Sequence, residues 1–162
     1  MTRFSVVPAA YLLLLRGSGP DLEVLLQLRG PGTTYKPGHW ATAAAGHVEA
    51  GESVFAAAAR EAHEELGVVV DPADVVPLCA MQRTLPGVSD PVEQRVDFFL
   101  TTRVWAGDPA VREHDKCSAL AWHRPAELPD PVVPHEQVLL GLLAGGDVPP
   151  VVTYGFDGSG PW

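Results

Sequence analysis

Apolar positions change their spacing several times along the chain, and each change predicts an element. Phe4 to Leu15 is an almost unbroken apolar run, and Leu22 to Leu28 is a second. Gly17-Ser18-Gly19-Pro20-Asp21 lies between them, so the pair predicts a β-hairpin of buried strands. Gly30-Pro31-Gly32 breaks the second run. Thr33 to His39 then reads as a loop, and Trp40 to Ala45 as a short strand of small residues. From Ser53 to Gly67 the spacing becomes helical, with Ser53 as N-cap, Ala56 to Ala59 as strong helix formers and Gly67 where a terminating glycine belongs. Val68-Val69-Val70 predicts a short strand, Asp71 to Asp74 a turn, and Val75 to Arg83 another strand. Leu85 to Pro91 reads as a loop. In Glu93 to Trp105, the longest later strand, Val96, Phe98 and Leu100 alternate against Asp97, Phe99 and Thr101. Ala106 to Lys116 is a polar loop, and alternation around Leu120 and Trp122 predicts a further strand. Pro134 to Ala144 predicts a second helix with Val138, Leu139 and Leu142 inward, and Val151 to Tyr154 a last short strand. Strands with helices interspersed imply an α+β fold, a mixed sandwich of sheet and helices. No repeat or linker interrupts the chain, so one domain over residues 1–162 is expected.

The first helix carries an excess of charge. At about 100° per residue, Glu61, Glu64 and Glu65 share one face. Phe55, Ala58, Ala59, Ala62 and Leu66 form another, roughly 120° away, suited to packing on a sheet. Like charges one turn apart repel. A divalent cation resolves that repulsion, because carboxylate oxygens are hard ligands suited to Mg²⁺ or Mn²⁺. On the three glutamates alone a solvated acidic face is the alternative, and the surrounding spacing decides between them.

Composition narrows the function classes. The 162 residues are 46% hydrophobic and 19% charged, as in an ordinary soluble domain. A net charge of -9 argues against non-specific nucleic-acid binding but leaves room for a small anionic substrate beside a metal. Cys79 and Cys117 form neither a disulfide framework nor a metal-type spacing, so reduced thiols and a cytoplasmic location are expected. Arg3 before Phe4 to Leu15 imitates a secretory leader. The small residues Pro8-Ala9-Ala10 precede the leucines, however, and the run is too short to span a bilayer, so it is read as a buried strand.

The stretch Gly46 to Val68 resembles the Nudix box, G-x5-E-x7-R-E-U-x-E-E-x-G-U, at every fixed position. Gly46, Glu52, Arg60, Glu61, Glu64, Glu65, Gly67 and Val68 carry the match, and Ala62 fills the first aliphatic position. The resemblance implies an α/β/α sandwich with a mixed sheet. It also implies Mg²⁺-dependent hydrolysis of a nucleoside diphosphate linked to another group. It puts Glu64 and Glu65 at metal-ligand positions and Glu61 at the position of a ligand or general base. The Ala45 carbonyl is a further ligand, and Arg60 with Glu52 ties the loop to the helix. The chemistry accounts for these residue types, since a diphosphate repels nucleophiles until cations neutralise its oxygens and acidify a bound water.

Beyond the box, Arg112-Glu113-His114-Asp115-Lys116-Cys117, Trp122 and Glu127-Leu128-Pro129 resemble an E-P-x-K-C … W … L-P stretch. That stretch belongs to Nudix enzymes acting on nucleoside triphosphates, with His114 here in the proline's place. The resemblance makes Glu113 a candidate for the metal or substrate site. Arg29, at a strand end, is a candidate phosphate contact. Tyr35, His39 and Trp40 are candidates for lining a base pocket, with a buried aromatic plug as the alternative. His47, His63 and His123 are read as structural or solvated. The expected substrate is a small nucleotide, first a triphosphate cleaved to monophosphate and pyrophosphate. ADP-ribose or another nucleotide sugar or dinucleotide is second, and a non-catalytic nucleotide-binding module third. No nucleic-acid or membrane partner is expected, and the protein is expected as a monomer or homodimer.

Overall fold

A computed structural model describes residues 3–85, 87 and 90–156. In the order of the chain its regular elements are β1 (Val7–Arg16), β2 (Glu23–Arg29), β3 (Trp40–Thr42), β4 (Ala44–His47), α1 (Val54–Leu66), β5 (Val76–Arg83), β6 (Arg95–Thr102), β7 (Cys117–His123), α2 (Pro134–Gly145) and β8 (Val151–Tyr154). Among the described residues all eight strands join one mixed sheet. Its main path runs β3-β2-β1-β6-β5-β8, with β4 added to β1 and β7 to β2. The β1–β6 and β5–β8 pairs are parallel, and the other pairs antiparallel. This is the α+β sandwich with a mixed sheet expected above.

β1 explains why the first apolar run has no polar alternation. Ala10, Leu12 and Leu14 point into a core shared with Ala57, Ala58, Ala62 and Leu66 of α1. Tyr11, Leu13 and Leu15 point the other way, into a core with Leu139 and Leu140 of α2. A strand covered by a helix layer on each face has no solvent side to mark with polar residues. Burying a leucine side chain contributes about 1.5–3 kcal/mol, so this strand anchors both layers.

The helix that carries the box begins and ends as expected. Ser53 Oγ accepts from Ala56 N at 3.2 Å, and Gly67 closes the helix in the left-handed region at φ 73°.

Several expectations are corrected. Trp40 to Ala45 is two strands, because Thr42 still pairs with β2 while Ala44 already pairs with β1. Val68–Val70 is no strand. Only Val69 bridges, to Ala106, while Val68 and Val70 plug the core. In β6 the expected alternation appears, with Asp97 and Phe99 buried and Val96 and Phe98 half-buried. In α2 Val138 is 41% exposed, and Leu140, His135 and Glu136 are buried in its place. Of the loop Leu85 to Pro91, residues 86, 88 and 89 lie outside the described residues.

Candidate active site

Arg60 organises the loop in front of α1. Its Nε and Nη2 donate to the two oxygens of Glu52 at 2.8 and 3.0 Å, a bidentate pair, and Nη2 also donates to the His47 carbonyl at 3.1 Å. Nη1 donates to Glu61 at 2.8 Å and to Glu64 at 3.3 Å. The planar guanidinium can hold all of these at once, which an ammonium cannot. The hydrogen bond from Arg60 holds the Glu52 carboxyl below its usual range. Gly46 supplies space: a Cβ there would lie 2.1 Å from Glu61 Oε1.

Glu65 is the most desolvated of the three box carboxyls. Its Oε2 accepts from Ala45 N at 2.8 Å. Burial nevertheless pushes it up from 4.5 to about 8, with the nearby charges of Glu61 and Glu113 adding to the effect. Burial also raises Glu61, partly offset by Arg60. Glu64 is 56% exposed at its side chain. A cavity of about 630 Å³ is lined by these three glutamates, Ala45, Glu113, and the cations Arg112 and Lys116. Glu113 pairs with Lys116 at 3.0 Å.

Among the described residues, no three carboxylate, imidazole or thiolate groups converge as a ready-made metal cage. Mutual repulsion accounts for this, because Glu61 and Glu64 turn to Arg60 and Glu65 turns to a backbone N–H. The donor set still fits a hard divalent cation, being oxygen-only, around one cavity and short of compensating positive charge.

Ala45 and Glu65 also line a second cavity, of about 450 Å³, on the far side of Glu65. Its floor crosses the sheet. Gln27 on β2 and Glu136 on α2 stand at one end, Arg83 on β5 and Arg95 on β6 at the other. Arg83 and Arg95 are register partners that share the fully buried Asp97. Arg83 donates to one Asp97 oxygen, and Arg95 Nε lies 3.3 Å from the other. His135 sits 3.7 Å from Asp97 and 3.4 Å from the Tyr11 hydroxyl. Burial and the two arginines keep its imidazole neutral, well below its ordinary range. Glu136 accepts from Thr42 N, and burial raises its carboxyl as well. Gln27 donates its amide to the Thr42 carbonyl at 3.1 Å.

The structure therefore brings Glu61, Glu64, Glu65, Ala45 and Glu113 to one cavity and Arg29 and Tyr35 to the other. Arg29 Nε donates to the Tyr35 carbonyl at 2.8 Å, fixing the loop that covers the second cavity. Trp40 is a correction. It lines neither cavity and packs edge-on against His123 at 4.8 Å. His39 hydrogen-bonds within its own loop. His47, read as structural, links Arg95 Nη1 at 3.0 Å and so joins the second cavity to the box. Sequence reading missed Arg83, Arg95, Asp97, His135 and Glu136. A charged residue inside the apolar strand Arg95–Thr102 was the available signal for Asp97.

The NUDIX domain family model matches residues 6–142, and the chain belongs to that family. It is similar to a MutT NUDIX hydrolase from Burkholderia pseudomallei, with a TM-score of 0.70 and 25% identity over 85% of this chain and 97% of that one. It is 49% identical over 65 residues to the NAD-capped RNA hydrolase NudC of Deinococcus radiodurans, covering 40% of this chain and 22% of that protein. It is 53% identical over 46 residues to an isopentenyl-diphosphate Delta-isomerase of Streptomyces avermitilis, covering 28% of this chain and 23% of that protein. The chain thus spans under a quarter of the length of these two curated relatives. Family model and fold agree with the complete box. No helix among the described residues is long and apolar enough to cross a membrane.

Proposed function

We propose that the protein hydrolyses a nucleoside triphosphate to the monophosphate and pyrophosphate, with Mg²⁺ or Mn²⁺ held by Glu64, Glu65, Glu113 and the Ala45 carbonyl. The observation that carries this reading is the position of Glu65 between two cavities. One is a deep cavity suited to a nucleoside, and the other holds Arg112 and Lys116, suited to a departing pyrophosphate. A bound divalent ion would neutralise the phosphate oxygens and acidify a water. The chain's own groups do the rest. Glu61, steadied by Arg60, takes the proton of the attacking water. Arg29 and Tyr35 close over the nucleoside. Gln27 and Glu136 offer acceptors to the base at one end of the cavity, and Arg83 and Arg95 donors at the other. Positioning and charge stabilisation supply most of such a phosphoryl transfer.

The likeness to NudC favours a second reading, a pyrophosphatase acting on a dinucleotide or nucleotide sugar such as ADP-ribose. The complete carboxylate set argues against a binding module without catalysis. Incubation with a nucleotide panel and Mg²⁺, reading orthophosphate and pyrophosphate separately, decides among them. Pyrophosphate release from a triphosphate is expected, and turnover of a dinucleotide or nucleotide sugar alone would overturn the first reading. The free, buried thiols of Cys79 and Cys117 support a cytoplasmic enzyme, which we read as a monomer or homodimer.

A further inference from the structure

Gly30-Pro31-Gly32 entered the sequence reading only as a strand breaker, yet it touches the segment that carries Arg112, Glu113 and Lys116. Gly30 N donates to the Lys116 carbonyl at 2.7 Å, and Gly32 N to the Asp115 carbonyl at 2.8 Å. Neither glycine has positive φ, so backbone conformation does not require glycine at either position. Space does. A Cβ on Gly30 would lie 2.4 Å from the Asp115 carbonyl oxygen, and one on Gly32 2.8 Å from the same atom. The turn cannot retreat freely, because Thr33 Oγ1 donates to the Gly30 carbonyl at 2.8 Å.

The other end of the segment is pinned too. Ala110 N donates to the Leu66 carbonyl at 3.1 Å, at the end of α1. Within it, Lys116 N and Cys117 N both donate to the Glu113 carbonyl, at 3.0 and 2.8 Å. The segment is therefore strapped across the glutamate face of α1, from the helix end to the end of β2. The Glu113–Lys116 ion pair cannot fix this position. Its side chains are 45% and 56% exposed, and such pairs contribute about 0–1 kcal/mol. The backbone seat on the two glycines fixes it.

We propose that Gly30 and Gly32 are positioning residues that set Arg112, Glu113 and Lys116 at the distance needed to receive the pyrophosphate leaving group. This rests on the triphosphate reading above for its meaning, but not for its test. Restoring an ordinary contact from 2.4 Å requires the segment to shift by about 1 Å, and a misplacement of that size costs on the order of 10- to 100-fold.

The test is calorimetric binding of pyrophosphate, with Mg²⁺ present, to the wild-type chain and to Gly30→Ala, Gly32→Ala and Gly141→Ala. Gly141 lies on α2 with nothing within 4 Å of its Cβ position, and serves as the control. Gly30→Ala is expected to weaken pyrophosphate about tenfold or more, and Gly32→Ala less, with Gly141→Ala unchanged. Binding of nucleoside monophosphates should stay within about twofold throughout, a selectivity that general structural damage would not produce. Gly32→Ala, the smaller clash, keeps the test open if Gly30→Ala fails to fold. Unchanged pyrophosphate affinity in the folded glycine variants, a parallel loss of monophosphate binding, or no pyrophosphate binding by the wild type would overturn the proposal. Selective loss in the variants of an enzyme that cleaves no triphosphate would leave the seat standing and remove the triphosphate reading.

Discussion

Glu65→Gln should stabilise the metal-free protein at alkaline pH while disabling it. The Glu65 carboxyl is buried, takes one backbone N–H, and faces the charges of Glu61 and Glu113. These place it at about 8 in the folded chain, against 4.5 ordinarily. The folded state therefore holds this proton more tightly than the unfolded state. Its contribution to stability is complete below about pH 4.5 and is lost as pH rises to about 8. At ~1.4 kcal/mol per pH unit the gap corresponds to on the order of 5 kcal/mol. Water in the adjoining cavity raises the local dielectric, so a measured effect of about 2 kcal/mol is expected. Glutamine has the same shape, keeps an acceptor for Ala45 N, and carries no charge to desolvate. Wild type and variant should melt together near pH 5 in chelator and separate by roughly 4–8 °C near pH 8.5, the variant being the more stable. His47, His123 and His135 are all lowered, chiefly by burial, so they favour the folded state as pH rises, and Glu136 acts in the opposite sense. These groups are common to both proteins and cancel in the difference. Saturating Mg²⁺ should close or reverse the gap, since a ligand at 100 times its dissociation constant adds about 2.7 kcal/mol to the wild type alone. Scanning calorimetry at four pH values, with and without Mg²⁺, provides the measurement. Parallel melting curves across the range, or a variant that is less stable at pH 8.5, would refute the reasoning.

Glu136→Gln should leave Mg²⁺ affinity intact and change the order of kcat/KM among bases by about tenfold or more, because a buried group that pairs with the base discriminates through the penalty of going unpaired. A nucleotide panel run on both proteins measures it, and an unchanged order removes Glu136 from base recognition. Trp40→Phe should keep kcat/KM within about twofold while lowering the melting temperature by a few degrees, since Trp40 packs on His123 outside both cavities. A large loss of activity without a loss of stability would return Trp40 to the site.

The box was legible because its chemistry is local. Glu52, Arg60, Glu61, Glu64 and Glu65 lie within one loop and one helix, so spacing alone places them on a common face, and the helix signals of Ser53 and Gly67 need no tertiary context. Glu113 was legible by resemblance, and the structure does bring it to the glutamates. The sheet core was legible as apolar runs, but not its pairing. The split of Trp40 to Ala45 between two partners depends on where β1 and β2 diverge, which no local pattern encodes.

The second cavity was illegible for a physical reason. Its polar residues come from β2, β5, β6 and α2, which lie far apart in sequence, so no local spacing brings them together. Asp97 carries a charge, and no local pattern marks it as buried. It is buried because Arg83 and Arg95 stand beside it and neutralise it, a condition set by residues on two strands. In α2, apolar residues at 138, 139, 140, 142 and 143 fit two faces about 100° apart. With Val138, Leu139 and Leu142 inward, His135 shares their face but Glu136 stands about 110° away. The structure rotates the helix toward Leu139 and Leu140, and its first turn supplies the cavity with both a neutral imidazole and a carboxyl. Which base they admit is thus decided by packing on the far side of the sheet, while the carboxylates that carry the reaction are written together in one helix. A change of base preference in this chain needs no change in the box.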